Sequence, residues 1–304
     1  MTVRTTSLWP PCIAEVLGTF LLVFFGCGAV HTAVLTGAQS GLWQVAIVWG
    51  VAIMIAVYTI GAYSGAHINP AITLSLAVWK RFSWSLVVPY ILAQLAGAFL
   101  AAAALYGLWH PHLAAMEQAK QVVRGQPGSE ITAMCYGEYF PNPGPAGAGP
   151  GPYSATDHAR LKTLVSEPTA FAAEVLGTLI LAFVVFSVTD ARNLVAPAGR
   201  LAPVFIGLTV AILISIIAPL TQACFNPARD FGPRLFTYLA GWGPIAIPGP
   251  SPTGFLTVYI IAPCLGAVLG GGLHTRVLVP MLPAPAGPLP AEPLPAEPLE
   301  AGLE

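Results

Sequence analysis

Asn69 and Asn226 each open an Asn-Pro-Ala triplet, Asn69-Pro70-Ala71 and Asn226-Pro227-Ala228. Asn is a strong helix N-cap, and Pro suits the first helical position, where its missing N–H leaves no orphan donor. An Asn that caps through its carbonyl oxygen keeps its amide NH2 free to donate. Each helix N-terminus adds about half a positive charge. Two such ends facing one lumen would welcome water and hydroxyl oxygens, repel cations, and turn the hydrogens of a bound water outward, breaking a proton wire. Arg229, directly after the second triplet, opposes the macrodipole of its own helix, so local stability does not account for it. It reads as a fixed cationic donor at a constriction; the plainer readings are snorkelling to an interface or pairing with Asp230. Asp230 suits the helix dipole, and a charge-compensating role and a solute-selective one both stand.

The triplets do not recur alone. Ala14-Glu15-Val16-Leu17-Gly18-Thr19 returns as Ala173-Glu174-Val175-Leu176-Gly177-Thr178, and Tyr90 with Gly97-Ala98 is echoed by Tyr259 with Gly266-Ala267. Three anchors in one order, twice, mean an internal duplication. Glu15 and Glu174 are the acids well inside apolar stretches, and buried carboxylates are costly unless hydrogen-bonded. Their equivalent places favour a structural task over a proton relay. Each would accept from backbone N–H groups of the loop entering its Asn-Pro-Ala helix, turning carbonyls such as those of Gly65, Ala66 and His67 toward the lumen. His67 by itself is weak support, since a lone histidine usually packs.

The elements that position these groups follow from composition. Of 304 residues 8% are charged and 56% hydrophobic, which a soluble chain could not sustain. A net charge of −1 excludes a basic nucleic-acid binder. Six stretches, at approximately 12–35, 42–62, 85–109, 169–188, 202–220 and 254–275, reach the ~20 residues that a bilayer core requires. The first reads as an uncleaved anchor after a short N-terminus, residues 1–11. Arg4, Lys80, Arg81, Arg192, Arg200 and Arg276 fall on one side, which puts both termini in the cytoplasm.

Repeat one then spans about 12–109, an outer loop 110–167, and repeat two about 168–276. Three spans per half turn the second half upside down, and inverted repeats place a functional site at the midplane. Ile68 to Trp79 and Asn226 to Leu239 are too short to cross, so they read as half-helices re-entering from opposite faces. Cys12, Cys27, Cys135, Cys224 and Cys264 show neither metal nor disulfide spacing. The Pro-rich tail, 277–304, is expected to be disordered and has no assigned function.

Ser64-Gly-Ala-His-Ile-Asn-Pro-Ala-Ile-Thr73 and Asn226-Pro-Ala-Arg-Asp-Phe-Gly-Pro-Arg234 resemble the major intrinsic protein family of aquaporins and glycerol facilitators. The resemblance covers about residues 10–276. Asp230, Arg234, Pro263, Phe140-Pro-Asn-Pro143 and Ala240-Gly-Trp-Gly243 look like its aquaglyceroporin branch. It implies an all-α polytopic fold, with six transmembrane helices and two re-entrant half-helices, assembled as a homotetramer with one pore per subunit. It also implies a selectivity filter at Trp49, Ile214, Ala223 and Arg229. Ile214 stands where glycerol facilitators often have Gly, and Ala223 where the bacterial pattern has Phe. The quartet is closer to that of plant nodulin-like intrinsic proteins.

The sequence thus predicts a passive channel in a cell membrane for glycerol, related small neutral solutes and water. The alternatives are a water-selective channel and, from another class, a secondary transporter, which would need ionisable groups along the path. No nucleophile–base pair or metal cluster is present, so neither an enzyme nor a cofactor is expected.

Overall fold

A computed structural model describes residues 8–39, 41–144, 153–193, 195–196 and 200–282. Six helices among them are long and apolar enough to cross a membrane. In repeat one, α1 (Trp9–Thr36) and α2 (Leu42–Ser64) precede a half-helix α3 (Pro70–Val78) and then α4 (Trp84–Ala119). Two short helices follow, α5 (Glu130–Ala133) and α6 (Ala155–Leu164). Repeat two is α7 (Glu167–Val188), α8 (Ala202–Thr221), the half-helix α9 (Pro227–Thr237) and α10 (Gly254–Met281).

Local chemistry sets many of these ends. Pro10 and Pro11 occupy the first turn of α1, and left-handed Gly37 closes it by donating to the Ala33 carbonyl. Two ends differ from the sequence expectation. Helix α4 runs on to Ala119, well beyond 109, because the helix-forming stretch Leu113 to Ala119 carries it past Pro111. Helix α10 reaches Met281 rather than 275, with widened turns at Thr257–Ile261 and Leu273–Leu278. The greater part of the Pro-rich tail and residues 1–7 lie outside the described residues.

The packing repeats as the sequence does. Helix α1 lies against α4, and α7 against α10. Gly97 and Gly266 set those contacts: a Cβ at Gly97 would collide with the Val16 carbonyl, and one at Gly266 with the Val175 carbonyl. Backbone against backbone leaves nothing to rotate away, so overpacking here cannot relax cheaply. Gly266→Val should therefore lower the thermal transition of the detergent-solubilised protein by several degrees, or prevent its recovery; an unchanged transition would show that the helices slide freely.

Each half-helix crosses to the other repeat, α3 packing on α10 and α9 on α4. Arg81, just after α3, reaches Asp190, just after α7, at 3.1 Å, and Arg192 reaches the same carboxylate at 2.7 Å. Those contacts, the Arg192 hydrogen bond foremost, hold the Asp190 carboxyl well below the usual range.

Candidate functional site

The two half-helices begin with the same construction. Asn69 Oδ1 accepts from the Ala71 N–H at 2.9 Å, and Asn226 Oδ1 from the Ala228 and Arg229 N–H groups at 3.0 and 3.3 Å. The approach to each cap is built from left-handed residues in register: Gly65, Ala66 and Ile68 in one half, Gln222, Ala223 and Phe225 in the other. Non-glycine residues resist that conformation, so something must hold it.

Two carboxylates hold it. Glu15 is fully buried and accepts from the His67 N–H at 2.9 Å and the Ile68 N–H at 2.7 Å. Glu174 does the same for the Cys224 and Phe225 N–H groups, at 2.9 and 2.8 Å. Ser64 and Thr221 donate their hydroxyls to these acids at 2.7 and 2.6 Å. Tyr90 and Tyr259, third anchors of the repeat, donate to the Ser64 and Thr221 carbonyls at 2.9 and 3.0 Å. Gln94 adds a fourth donor to Glu15 at 2.7 Å, and the repeat has no counterpart for it.

One expectation needs correction. The Asn amides are not wholly free, because Asn69 Nδ2 donates to the Phe225 carbonyl and Asn226 Nδ2 to the Ile68 carbonyl, both at 2.8 Å. Each amide spends one of its two hydrogens tying its own half to the other and keeps one.

Three cavities lie in series along this line. An inner one of about 660 Å³ takes in Gly65, Ala66 and His67 and ends at Asn69 and Asn226. The same two Asn residues bound a chamber of about 50 Å³ that reaches Trp49 and Arg229. Beyond lies an outer cavity of about 130 Å³. Five residues line both chamber and outer cavity and so form the neck between them: Trp49, Glu138, Ile214, Gln222 and Arg229.

Three of the four filter candidates, Trp49, Ile214 and Arg229, meet at that neck. Ala223 lines the chamber but not the outer cavity, whereas Gln222, its left-handed neighbour, lines both. The Arg229 guanidinium stands 4.5 Å from the Trp49 ring centre. It does not snorkel; it is 3% exposed and donates to the Tyr136 carbonyl at 2.8 Å. Its ion-pair partner is Glu138 rather than Asp230.

Asp230 lines none of these cavities. Its Oδ2 accepts from Arg234 at 2.6 Å and its Oδ1 from the Glu138 N–H at 2.6 Å, so it anchors the segment that carries Glu138. The Tyr139 N–H donates to Gln222 Oε1, and Asn142 Nδ2 to the Ala218 carbonyl, both at 2.8 Å. Sequence reasoning missed Glu138 and Gln222. The available signal was an acid set among aromatics, Tyr136-Gly-Glu-Tyr-Phe140, beside the motif already noted at Phe140-Pro-Asn-Pro143.

The profile of the major intrinsic protein family matches residues 2–274. The chain belongs to that family. Among curated proteins, the glycerol uptake facilitator protein of Pseudomonas aeruginosa is 43% identical over 282 residues, covering 93% of both chains. The glycerol uptake facilitator protein of Escherichia coli K12 is 38% identical over 280 residues, 92% of both. The propanediol uptake facilitator of Citrobacter freundii is 39% identical over 277 residues, 91% of this chain and 95% of that one. The fold matches the X-ray structure of the aquaglyceroporin from Plasmodium falciparum with a TM-score of 0.74 at 24% identity, over 91% of this chain and 99% of that one. This major intrinsic protein is therefore an integral membrane protein, its six apolar helices arranged as in that fold.

Proposed function

We propose that the protein is a passive channel for glycerol, related small neutral solutes and water. The carrying observation is the neck itself: Trp49 and Ile214 supply apolar surface while Arg229 brings charge and hydrogen-bond donors. A polyol has the matching shape, carbon along one edge and hydroxyls along the other. The names of the glycerol and propanediol facilitators support the solute class. In this reading Asn69 and Asn226 each give one remaining amide hydrogen to a passing oxygen, and the positive ends of α3 and α9 repel cations and protons. Pro70, Ala71, Pro227 and Ala228 shape the two helix starts. The carbonyls of Gly65, Ala66 and His67 provide acceptors on the inner side.

The channel unit is residues 12–276, with both termini cytoplasmic. Side chains such as Leu17, Val88, Leu92 and Ile216 are exposed on this chain. We assign them to lipid and to sister subunits of a homotetramer.

Stopped-flow light scattering on proteoliposomes tests the proposal. Glycerol should enter well above the rate of protein-free vesicles, without saturation over a broad range, and indifferent to protonophores and sodium. Normal water flux with no glycerol entry would favour a water-selective pore. Uphill accumulation driven by a proton gradient would make it a transporter.

A further inference from the structure

The Glu138 carboxylate is only half used. Its Oε1 meets the Arg229 guanidinium, while Oε2 is buried with no hydrogen-bond partner among the described residues. The residue is 1% exposed, yet it lines both the chamber and the outer cavity. A buried carboxylate oxygen without a donor is costly, and native proteins rarely keep one without a reason.

Packing of the loop does not supply that reason. The Glu138 backbone is already fixed at both ends, its N–H on Asp230 and its carbonyl on Arg234. The side chain is therefore not needed to seat the loop. Arg229, for its part, has one terminal nitrogen on the Tyr136 carbonyl and the other on Glu138. Two of its five N–H donors are thus spent inside the protein, and its charge is balanced where a solute must pass.

A hydroxyl entering this neck leaves water on both counts, as donor and as acceptor. Arg229 can serve only its oxygen. We propose that Glu138 is a specificity-determining residue of the constriction, with Oε2 accepting the hydrogens of small neutral polyhydroxy solutes while its charge offsets that of Arg229. The polar edge of the neck is then a donor–acceptor pair facing the Trp49 and Ile214 wall, which fits vicinal hydroxyls on a short carbon chain. This rests on the channel reading above and names how that channel recognises its solute.

The test is Glu138→Ala and Glu138→Gln in proteoliposomes, with glycerol and water permeability read in the same vesicles. Monodisperse size-exclusion elution and equal protein content of the vesicles report that the variant has folded and inserted, and the ratio of the two permeabilities then reads solute recognition. Glu138→Ala should lower the glycerol-to-water ratio by about tenfold, as expected for an unmet hydrogen bond. Glu138→Gln, which keeps an acceptor oxygen, should fall between it and the wild type. An unchanged ratio in both variants, with wild-type glycerol flux intact, would overturn the role of Glu138 alone. Should Glu138→Ala not be recovered, the Gln variant decides by the same criterion. Wild-type vesicles closed to glycerol would overturn the solute reading and this proposal together.

Discussion

Replacing Glu174 with Ala should leave almost no folded channel to recover from detergent. Its carboxylate holds two backbone N–H groups and the Thr221 hydroxyl at the bend where Gln222, Ala223 and Phe225 are all left-handed. Each orphaned buried donor costs about 1–3 kcal/mol, and the bend loses what over-determines it. A loss on the order of 4 kcal/mol or more is a large part of the stability of an ordinary domain. Glu174→Gln should be milder, because one oxygen still accepts but without the charge. The same pair at Glu15, with four donors, should rank in the same order. Size-exclusion yield and thermal unfolding measure this; a fully stable Glu174→Ala protein would overturn the anchoring role, and a wild-type proton leak that this variant loses would turn the acid into a relay.

Ala223→Phe should close the pore to glycerol while sparing much of the water flux. The bacterial pattern carries that Phe together with Gly at the position of Ile214, whereas here Ala223 and Ile214 both line a chamber of about 50 Å³, to which the change adds a benzyl-sized ring with no Gly to make room for it. The bend that carries residue 223 is held from behind by Glu174, so it cannot easily retreat. Glycerol permeability should drop by about a hundredfold, equivalent to nearly 3 kcal/mol of added barrier. Shrink–reswell kinetics distinguish the outcomes. Undiminished glycerol entry would mean that the ring finds space outside the path, and that residue 223 does not bound the solute.

The fold and the chemistry were legible to different depths. Asn69-Pro70 and Asn226-Pro227 announce their helix starts because cap and first turn are local properties, settled within a few residues. Glu15 and Glu174 were readable because duplication shows the same acid at the same place twice. The crossed Asn amides were not, since the Phe225 and Ile68 carbonyls reach them only after the halves meet. Glu138 was hidden for a related reason. Its loop has no periodicity, and its burial is imposed by Asp230, Gln222 and Arg234 from repeat two. Arg229 was noticed as an unexplained cation, but the partner that explains it could not be named from helix rules.

The crossed amides also constrain assembly. Until repeat two has docked, Asn69 Nδ2 and the Ile68 carbonyl lack the partners they later share with Phe225 and Asn226. Polar groups left so at membrane depth are unfavourable. Neither half can finish its own lumen wall, and the centre of the pore becomes stable only as a joint product of both. The order of synthesis matters accordingly: repeat one must wait in the bilayer with its re-entrant loop unfinished until the last helices arrive.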